Sequence, residues 1–329
     1  MPLIILLGIG RLDLAMFAIF GAFTGIYGRS PGHLDRLVEQ TRSGVLFFAV
    51  ILGAGLTSSH IVEHGTGAGT WTVVALTTFV AWGCNVLAGF LRLRPAGPLF
   101  HIFAFAAIAS TPDLPPIQEG MLTATLAIML SIGIGVVEWL LPHRRTVWRR
   151  ETRHPITPEL ARTIWLDSLA VLVAAGAAGA VATLTQSMLA TGHNYWAMVA
   201  AVVPLVGHTT RHRLARGVHR ILGTYVGLGI IAVIIALEPN IVAAVFIIGV
   251  MQVGAEMFMA RNYFLGQMFV TPMALIGVAL TTGLGPNLLW DRFVETTIGA
   301  IIGMTVALAS AWFARQRRRK VAAARRVAA

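Results

Sequence analysis

Two arginines four residues apart carry the clearest hint of chemistry in the chain. They open the stretch Arg216-Gly-Val-His-Arg-Ile-Leu-Gly-Thr-Tyr-Val-Gly227. On a helix that spacing projects Arg216 and Arg220 from one face. Their planar guanidinium forks match a carboxylate in bidentate fashion, which is anion binding rather than bond-breaking chemistry. At the edge of a membrane the same side chains would also serve as topological anchors, and spacing alone leaves both readings open. Tyr225, between the glycines that follow, joins them as a candidate substrate contact. Gly223 with Gly227, and Gly299 with Gly303, form GxxxG pairs, which let two helix backbones approach closely. Helix packing is the role expected of these four.

A second group lies in Asn262-Tyr-Phe-Leu-Gly-Gln-Met-Phe-Val-Thr-Pro272 and near His101. Short or proline-interrupted membrane segments at matching positions in two repeats point to a transport site. Segment 99–110 lies between Pro98 and Pro112, and segment 264–281 is predicted to break at Thr271-Pro272. Proline frees a carbonyl that must be buried in protein or face a water-lined cavity. A substrate path is therefore expected beside these segments, lined by His101, Asn262, Tyr263, Gln267 and Thr271. An interfacial position for His101 stays open beside that role. Asn85 and Gln252, near the middle of two long helices, are expected to face inward and hydrogen-bond between helices. The acidic residues Glu138, Asp167, Glu256 and Glu295 fall near helix ends, with Glu295 expected to pair with Arg292 and Glu256 with Arg261. Proton coupling is open on this evidence.

Other chemistries find little support. The only lysine is Lys320, so there is no Walker A or Schiff-base lysine, and there is no GxSxG. His60-Ile-Val-Glu63-His64 matches HxxEH but abuts Gly65-Thr-Gly in a short loop, a poor setting for an enclosed zinc site. His208 and His212 read as a solvated loop. Cys84, the single cysteine, sits in an apolar run. Neither a metal, nor a cofactor, nor an enzymatic reaction is expected.

The elements that must position these residues are membrane helices. Hydrophobic residues make up 56% of the 329 positions and charged residues 12%, and mean hydropathy is +0.76. A soluble surface needs about 25% charged residues, so most of this exterior must face lipid. Apolar runs predict an all-α, polytopic transmembrane helical bundle of about 11 helices. They fall at 12–27, 43–59, 69–91, 99–110, 118–141, 163–189, 195–207, 218–237, 240–260, 264–281 and 290–314. The division is a first transmembrane repeat over 1–142, a basic linker over 143–162, a second repeat over 163–314 and a basic tail over 315–329. When loops are taken alternately, 23 of the 25 Lys and Arg residues fall on one side, all but Arg11 and Arg292. That bias places the C-terminus in the cytoplasm of a cell whose inner membrane the chain spans. The net charge of +11 is thereby spent on topology and anionic lipid, and no nucleic acid is expected as partner. Trp71, Trp196 and Trp290 would mark outer helix ends, and Trp139, Trp165 and Trp312 inner ones. Met1-Pro2-Leu3 carries no basic n-region, so no signal peptide is read.

The halves share an order of features. Leu14-Ala-Met-Phe-Ala parallels Trp196-Ala-Met-Val-Ala, each opening a short helix before an arginine-bearing loop. Helix 163–189 precedes this set in the second half, and its counterpart in the first would be the seven residues Met1-Pro-Leu-Ile-Ile-Leu-Leu. Either that helix is lost or the true start lies upstream. Six spans per complete repeat make the repeats parallel rather than inverted. An incomplete bundle is expected to associate as a homo-oligomer.

Three stretches resemble the fusaric-acid-resistance (FUSC) superfamily of aromatic-acid exporters. They are Arg216–Gly227, similar to "RGxxRxxGTxxG", Ala260–Pro272, similar to "RNYxLxxxFxTP", and Arg292–Gly303, similar to "R…ETxxGxxxG". Residues 163–314 carry the likeness well and the first half weakly. It implies a membrane transporter exporting small organic, above all aromatic, acid anions. A passive anion channel, as in related plant malate channels, or a non-transporting membrane subunit stands as the alternative.

Overall fold

The computed structural model describes residues 2–28, 32–61, 67–111, 113–140, 148, 155–207, 209–259, 261–283 and 287–327. The described residues are helical and form no strand. A short helix α1 (Pro2–Gly8) precedes α2 (Ala15–Ala22), which is extended by 3-10 turns at Leu12–Leu14 and Phe23–Ile26. Then come α3 (His33–Ile61), α4 (Gly67–Leu91), α5 (Leu99–Ala109), α6 (Ile117–Val137) and α7 (Pro158–Leu189). The series ends with α8 (Tyr195–Ala201), α9 (Thr210–Ala236), α10 (Ile241–Met259), α11 (Tyr263–Thr282) and α12 (Leu288–Val327). Eight of these are long and apolar enough to cross a membrane; of three shorter apolar segments, Leu12–Ile26 precedes them and Leu99–Ala109 and Tyr195–Leu205 lie between them in the chain.

All eleven expected spans are helical, but several boundaries differ. α3 begins nearly three turns earlier than apolar periodicity indicates, because its first turns bury polar side chains such as Asp35, Glu39 and Gln40, and α9 begins about two turns earlier, through the arginine-bearing stretch from Thr210. α7 begins at Pro158, inside the expected linker, with the Thr157 side chain accepting the Leu160 N–H at 3.2 Å. Proline at a first helical position follows from its fixed φ and missing N–H. α12 runs on through the basic tail as far as Val327. Most of the linker lies outside the described residues, as do Arg29, Pro112, Glu63, His64 and His208.

Lipid-facing and protein-facing surfaces divide as a bilayer demands. Leu126, Met129, Leu184, Val233, Phe246 and Val250 are exposed, and with no water to repel them they are stable only in hydrocarbon. The eleven-residue α5 is buried along almost its whole length. At about 1.5 Å per residue it reaches roughly 17 Å and cannot cross a bilayer core of about 30 Å. A short segment at that depth is tolerated because protein covers it.

The packing partners recur between the halves. α2 packs on α6 as α8 packs on α12, α3 on α5 as α9 on α11, and α4 on α5 as α10 on α11. Across the halves α2 meets α11 as α8 meets α5, and α7 lies on α4 where the short α1 lies on α10.

Four glycines set two close helix contacts around the second-half motifs. A Cβ on Gly223 would lie 2.8 Å from the Phe264 carbonyl oxygen, and one on Gly227 would lie 2.6 Å from Thr271 Cβ. On α12, a Cβ on Gly299 would stand 2.0 Å from the Ala197 carbonyl oxygen and one on Gly303 2.2 Å from that of Ala201. These glycines let α9 lie against α11 and α12 against α8, the two contacts that build the site below.

Candidate functional site

α9 and α11 run side by side, and their contact face is polar. Arg220, Gly223, Thr224 and Gly227 form one stripe of α9, spaced by three and four residues. Opposite them, Gln267 and Thr271 form one stripe of α11. Arg220 Nη1 donates to Gln267 Oε1 at 2.7 Å. Gln267 Nε2 donates to Thr271 Oγ1 at 3.0 Å and to Thr224 Oγ1 at 3.2 Å. The Thr271 hydroxyl donates in turn to the Gln267 backbone carbonyl at 3.0 Å. All four side chains are buried, Arg220 being 2% exposed.

One turn toward the N-terminus of α9, Arg216 lies with its Cζ 4.4 Å above the ring of Tyr263 and its Nε donating to the Val203 carbonyl at 3.4 Å. A guanidinium over an aromatic face is held by the ring quadrupole and needs no carboxylate there. The Tyr263 hydroxyl is buried and has no hydrogen-bond partner.

A third arginine arrives from the other end of the bundle. α12 starts where α11 finishes, and Arg292, in its second turn, is 1% exposed. Its Cζ lies 4.7 Å from the ring centre of Trp196, and it lies within electrostatic reach of Arg220, Tyr195, Tyr263 and Glu295. Nε and Nη1 of Arg292 are buried without a partner, as are Nε and Nη2 of Arg220. Removing such a cation from water costs several kcal/mol even after relaxation, and a second cation nearby adds to that cost. Two buried guanidiniums with four unused donors between them are what an anionic guest would neutralise.

The expected site residues therefore divide. Arg216, Arg220, Tyr263, Gln267 and Thr271 converge, with Thr224 added. Three others do not. Tyr225 lies on a different face of α9, its hydroxyl 2.8 Å from Thr297 Oγ1 and its ring stacked at 4.5 Å on Phe293. Asn262 is exposed and caps α11, its Oδ1 accepting the N–H groups of Phe264 and Leu265 at 3.0 and 3.4 Å. His101 is fully buried in the first half, stacked at 4.3 Å on Phe47, with Nδ1 3.4 Å from the Tyr27 hydroxyl. It is not interfacial. Pro272 sits inside a continuous α11, so the expected break is absent, and the carbonyl it frees, that of Met268, faces Gly227 at 3.0 Å from where a Cβ would be.

Other expectations are corrected as well. Arg292 and Glu295 make no close ion pair but lie within electrostatic reach of each other, and Glu295 is buried against the Thr191 side chain and the His193 backbone. Trp196 is fully buried beneath Arg292 rather than set at a lipid interface. Gln252 turns along its own helix, donating to Glu256 at 2.7 Å, whereas Asn85 does bond across helices, to Ser168 at 2.8 Å. Asp167 accepts from Arg213 at 3.1 Å. Among the described residues no three His, Cys, Asp or Glu side chains converge as metal ligands.

Arg292, the first residue of the third family-like motif, and Trp196 are not among the expected substrate contacts. The signal was present: Arg292 is one of two arginines on the side poor in positive charge, and it shares a helical face with Gly299 and Gly303.

Comparison with known proteins covers the same part of the chain. Residues 169–306 match the family described as fusaric acid resistance protein-like, a stretch that runs from α7 to α12 and holds every residue of the arginine cluster. Over 113 residues, 34% of this chain, the sequence is 30% identical to the uncharacterized membrane protein YvaC of Bacillus subtilis (strain 168). That match covers only 18% of YvaC. No solved structure matches the chain. The chain is thus a multi-pass membrane protein whose second half is like the fusaric acid resistance proteins.

Proposed function

We propose that the chain is a carrier that exports small organic anions, aromatic carboxylates above all, across the inner membrane, with its C-terminus in the cytoplasm. The observation that carries this reading is the pair of buried arginines without a carboxylate partner, Arg220 and Arg292. A carboxylate placed between them would accept from their free N–H groups, and charge-assisted bonds of this kind are about twice as strong as neutral ones. Tyr263 offers a further unused hydroxyl and an aromatic face, which suits a ring-bearing acid.

The two arginines also favour a carrier over an open pore. Arg220 lies about ten residues, or roughly 15 Å, along a helix entered from one end. Arg292 lies near the start of a helix entered from the other. Each therefore stands toward a different side of the membrane, and both are closed off from solvent in this conformation. Access then requires α11 or α12 to shift against α9, and the glycine-lined contacts are where such helices can slide. The matching helix partners of the two halves support parallel repeats that would move against each other. Anionic lipid around the basic loops and association with further copies of the chain complete the proposed partners.

The test is flux in proteoliposomes of purified protein loaded with radiolabelled benzoate, salicylate or citrate. Saturable efflux, abolished when Arg220 and Arg292 are both glutamine, is the expected result. Efflux proportional to concentration and following an imposed voltage would indicate a channel instead. No efflux of any of the three acids would contradict transport by the isolated chain.

A further inference from the structure

Glu295 stands beside the anion site and makes no close ion pair. It is 0% exposed, lies within electrostatic reach of Arg292 and Asp291, and rests against the Thr191 side chain and the His193 backbone. It lies one turn beyond Arg292 on the same face of α12, and one turn beyond Asp291 as well. A carboxylate in such a place is tolerable only beside positive charge or with a proton on it.

The surrounding groups show where that proton would come from. Asp291, 2% exposed, accepts the His193 ring through Nδ1 at 2.6 Å and the Gly192 N–H at 3.1 Å, both on the same oxygen, Oδ2. Its Oδ1 is buried and unpaired. His193 belongs to the turn between α7 and α8, and its side chain is 32% exposed. Glu295 is thus one helical turn from a carboxylate whose partner reaches water. Asp291 and Arg292 of α12, the Thr191 side chain and the His193 backbone face Glu295. Tyr195 of α8, Arg220 of α9 and Tyr263 of α11 face it through Arg292.

We infer that Glu295 is a proton site coupled to the anion site: an organic anion held between Arg220 and Arg292 brings one proton onto Glu295. The inference rests on the anion-site reading of those arginines. Before binding, Glu295 and Asp291 are the buried carboxylates that offset them. An incoming carboxylate takes over that role and places a further negative charge beside Glu295, which is relieved when one Glu295 oxygen accepts a proton from water through the His193 end. No other bond forms or breaks. By linkage the effect is reciprocal, so the proton strengthens anion binding as much as the anion strengthens proton binding. A monocarboxylate then crosses with its proton and without net charge, and export runs down the gradient of the acid itself.

Benzoate is ionised throughout about pH 6 to 8, so protons taken up on mixing come from the protein. Benzoate is added to purified wild-type protein in weakly buffered detergent, with a pH indicator counting protons and calorimetry giving the affinity. Proton uptake that grows toward one per benzoate at the alkaline end of that range, with Kd rising by up to about tenfold per pH unit there, is expected. Glu295→Gln should bind benzoate without proton uptake and with a Kd that no longer follows pH. Benzoate bound by the wild type with no proton uptake and a flat Kd would overturn the coupling and leave the anion site standing. No binding at any pH would overturn both. The wild-type proton count decides the matter even if Glu295→Gln does not fold.

Discussion

Arg220 and Gln267 are joined by a 2.7 Å hydrogen bond at the level where Gly223 brings α9 against α11. The bond holds one edge of the guanidinium and leaves Nε and Nη2 free. Gln267 is in turn fixed by Thr224 and Thr271, so the arginine is pre-positioned by three uncharged side chains. None of them competes with an anion for its charge. That arrangement differs from a structural ion pair, in which the partner is a carboxylate and no donor is left over.

Gln267→Leu should therefore weaken organic-anion binding about tenfold while leaving helical content unchanged. The substitution removes the Arg220 acceptor and leaves the buried guanidinium to move, a loss of about 1.5–3 kcal/mol for a hydrogen bond to a charged group. Benzoate titration alongside circular dichroism checks it, and an unaltered affinity would show that Gln267 does not position Arg220.

Trp196→Leu should raise the dissociation constant severalfold, and Trp196→Phe less. The ring beneath Arg292 supplies a desolvated cation–π contact of about 2 kcal/mol, which phenylalanine retains in part. The same titration ranks the three proteins, and equal affinities would remove Trp196 from the site.

The helix order was legible because a bilayer leaves apolar length as nearly the only option for lipid-facing segments. Hydropathy could not see the start of α3, where the buried side is polar, or that of α9, where the first turns are rich in arginine and histidine. The convergence of Arg216, Arg220, Gln267 and Thr271 was legible from spacing, since helices in contact align residues four apart. Tyr225 could have been set aside on the same ground, lying about 100° around α9 from Thr224. Asn262, just before an apolar run, carried the ordinary signature of a helix N-cap. Arg292 and Trp196 were hidden for a different reason. Charge bias and aromatic belts describe average positions at a membrane edge, and these two meet only because α12 and α8 touch backbone to backbone at Gly299 and Gly303.

Gly303→Ala should lower the thermal midpoint markedly, because the new Cβ would stand 2.2 Å from the Ala201 carbonyl oxygen. Overpacking of this kind costs about 1–3 kcal/mol. Gly229→Ala, where nothing lies within 4 Å of the added atom, should be neutral or stabilising by up to about 1 kcal/mol. Unfolding curves in one detergent compare them, and equal midpoints would contradict the close contact of α12 with α8.

Ser168→Ala should cost about 0.6 kcal/mol, the typical worth of a hydrogen bond between membrane helices. It removes the acceptor of the 2.8 Å bond from Asn85 that ties α4 to α7. Equilibrium unfolding in mixed micelles measures this, and a cost of several kcal/mol would mean that the serine does more than accept that bond.

The most direct test of the anion site is benzoate binding to purified wild type, Arg220→Gln and Arg292→Gln by calorimetry at constant pH and low salt. The buried pair predicts saturable binding to the wild type and at least a tenfold loss in each variant, with thermal midpoints preserved or raised because an unpaired buried charge has been removed. Wild-type affinity in folded variants, or midpoints that fall with no change in binding, would show that the arginines hold the bundle together and do not receive an anion.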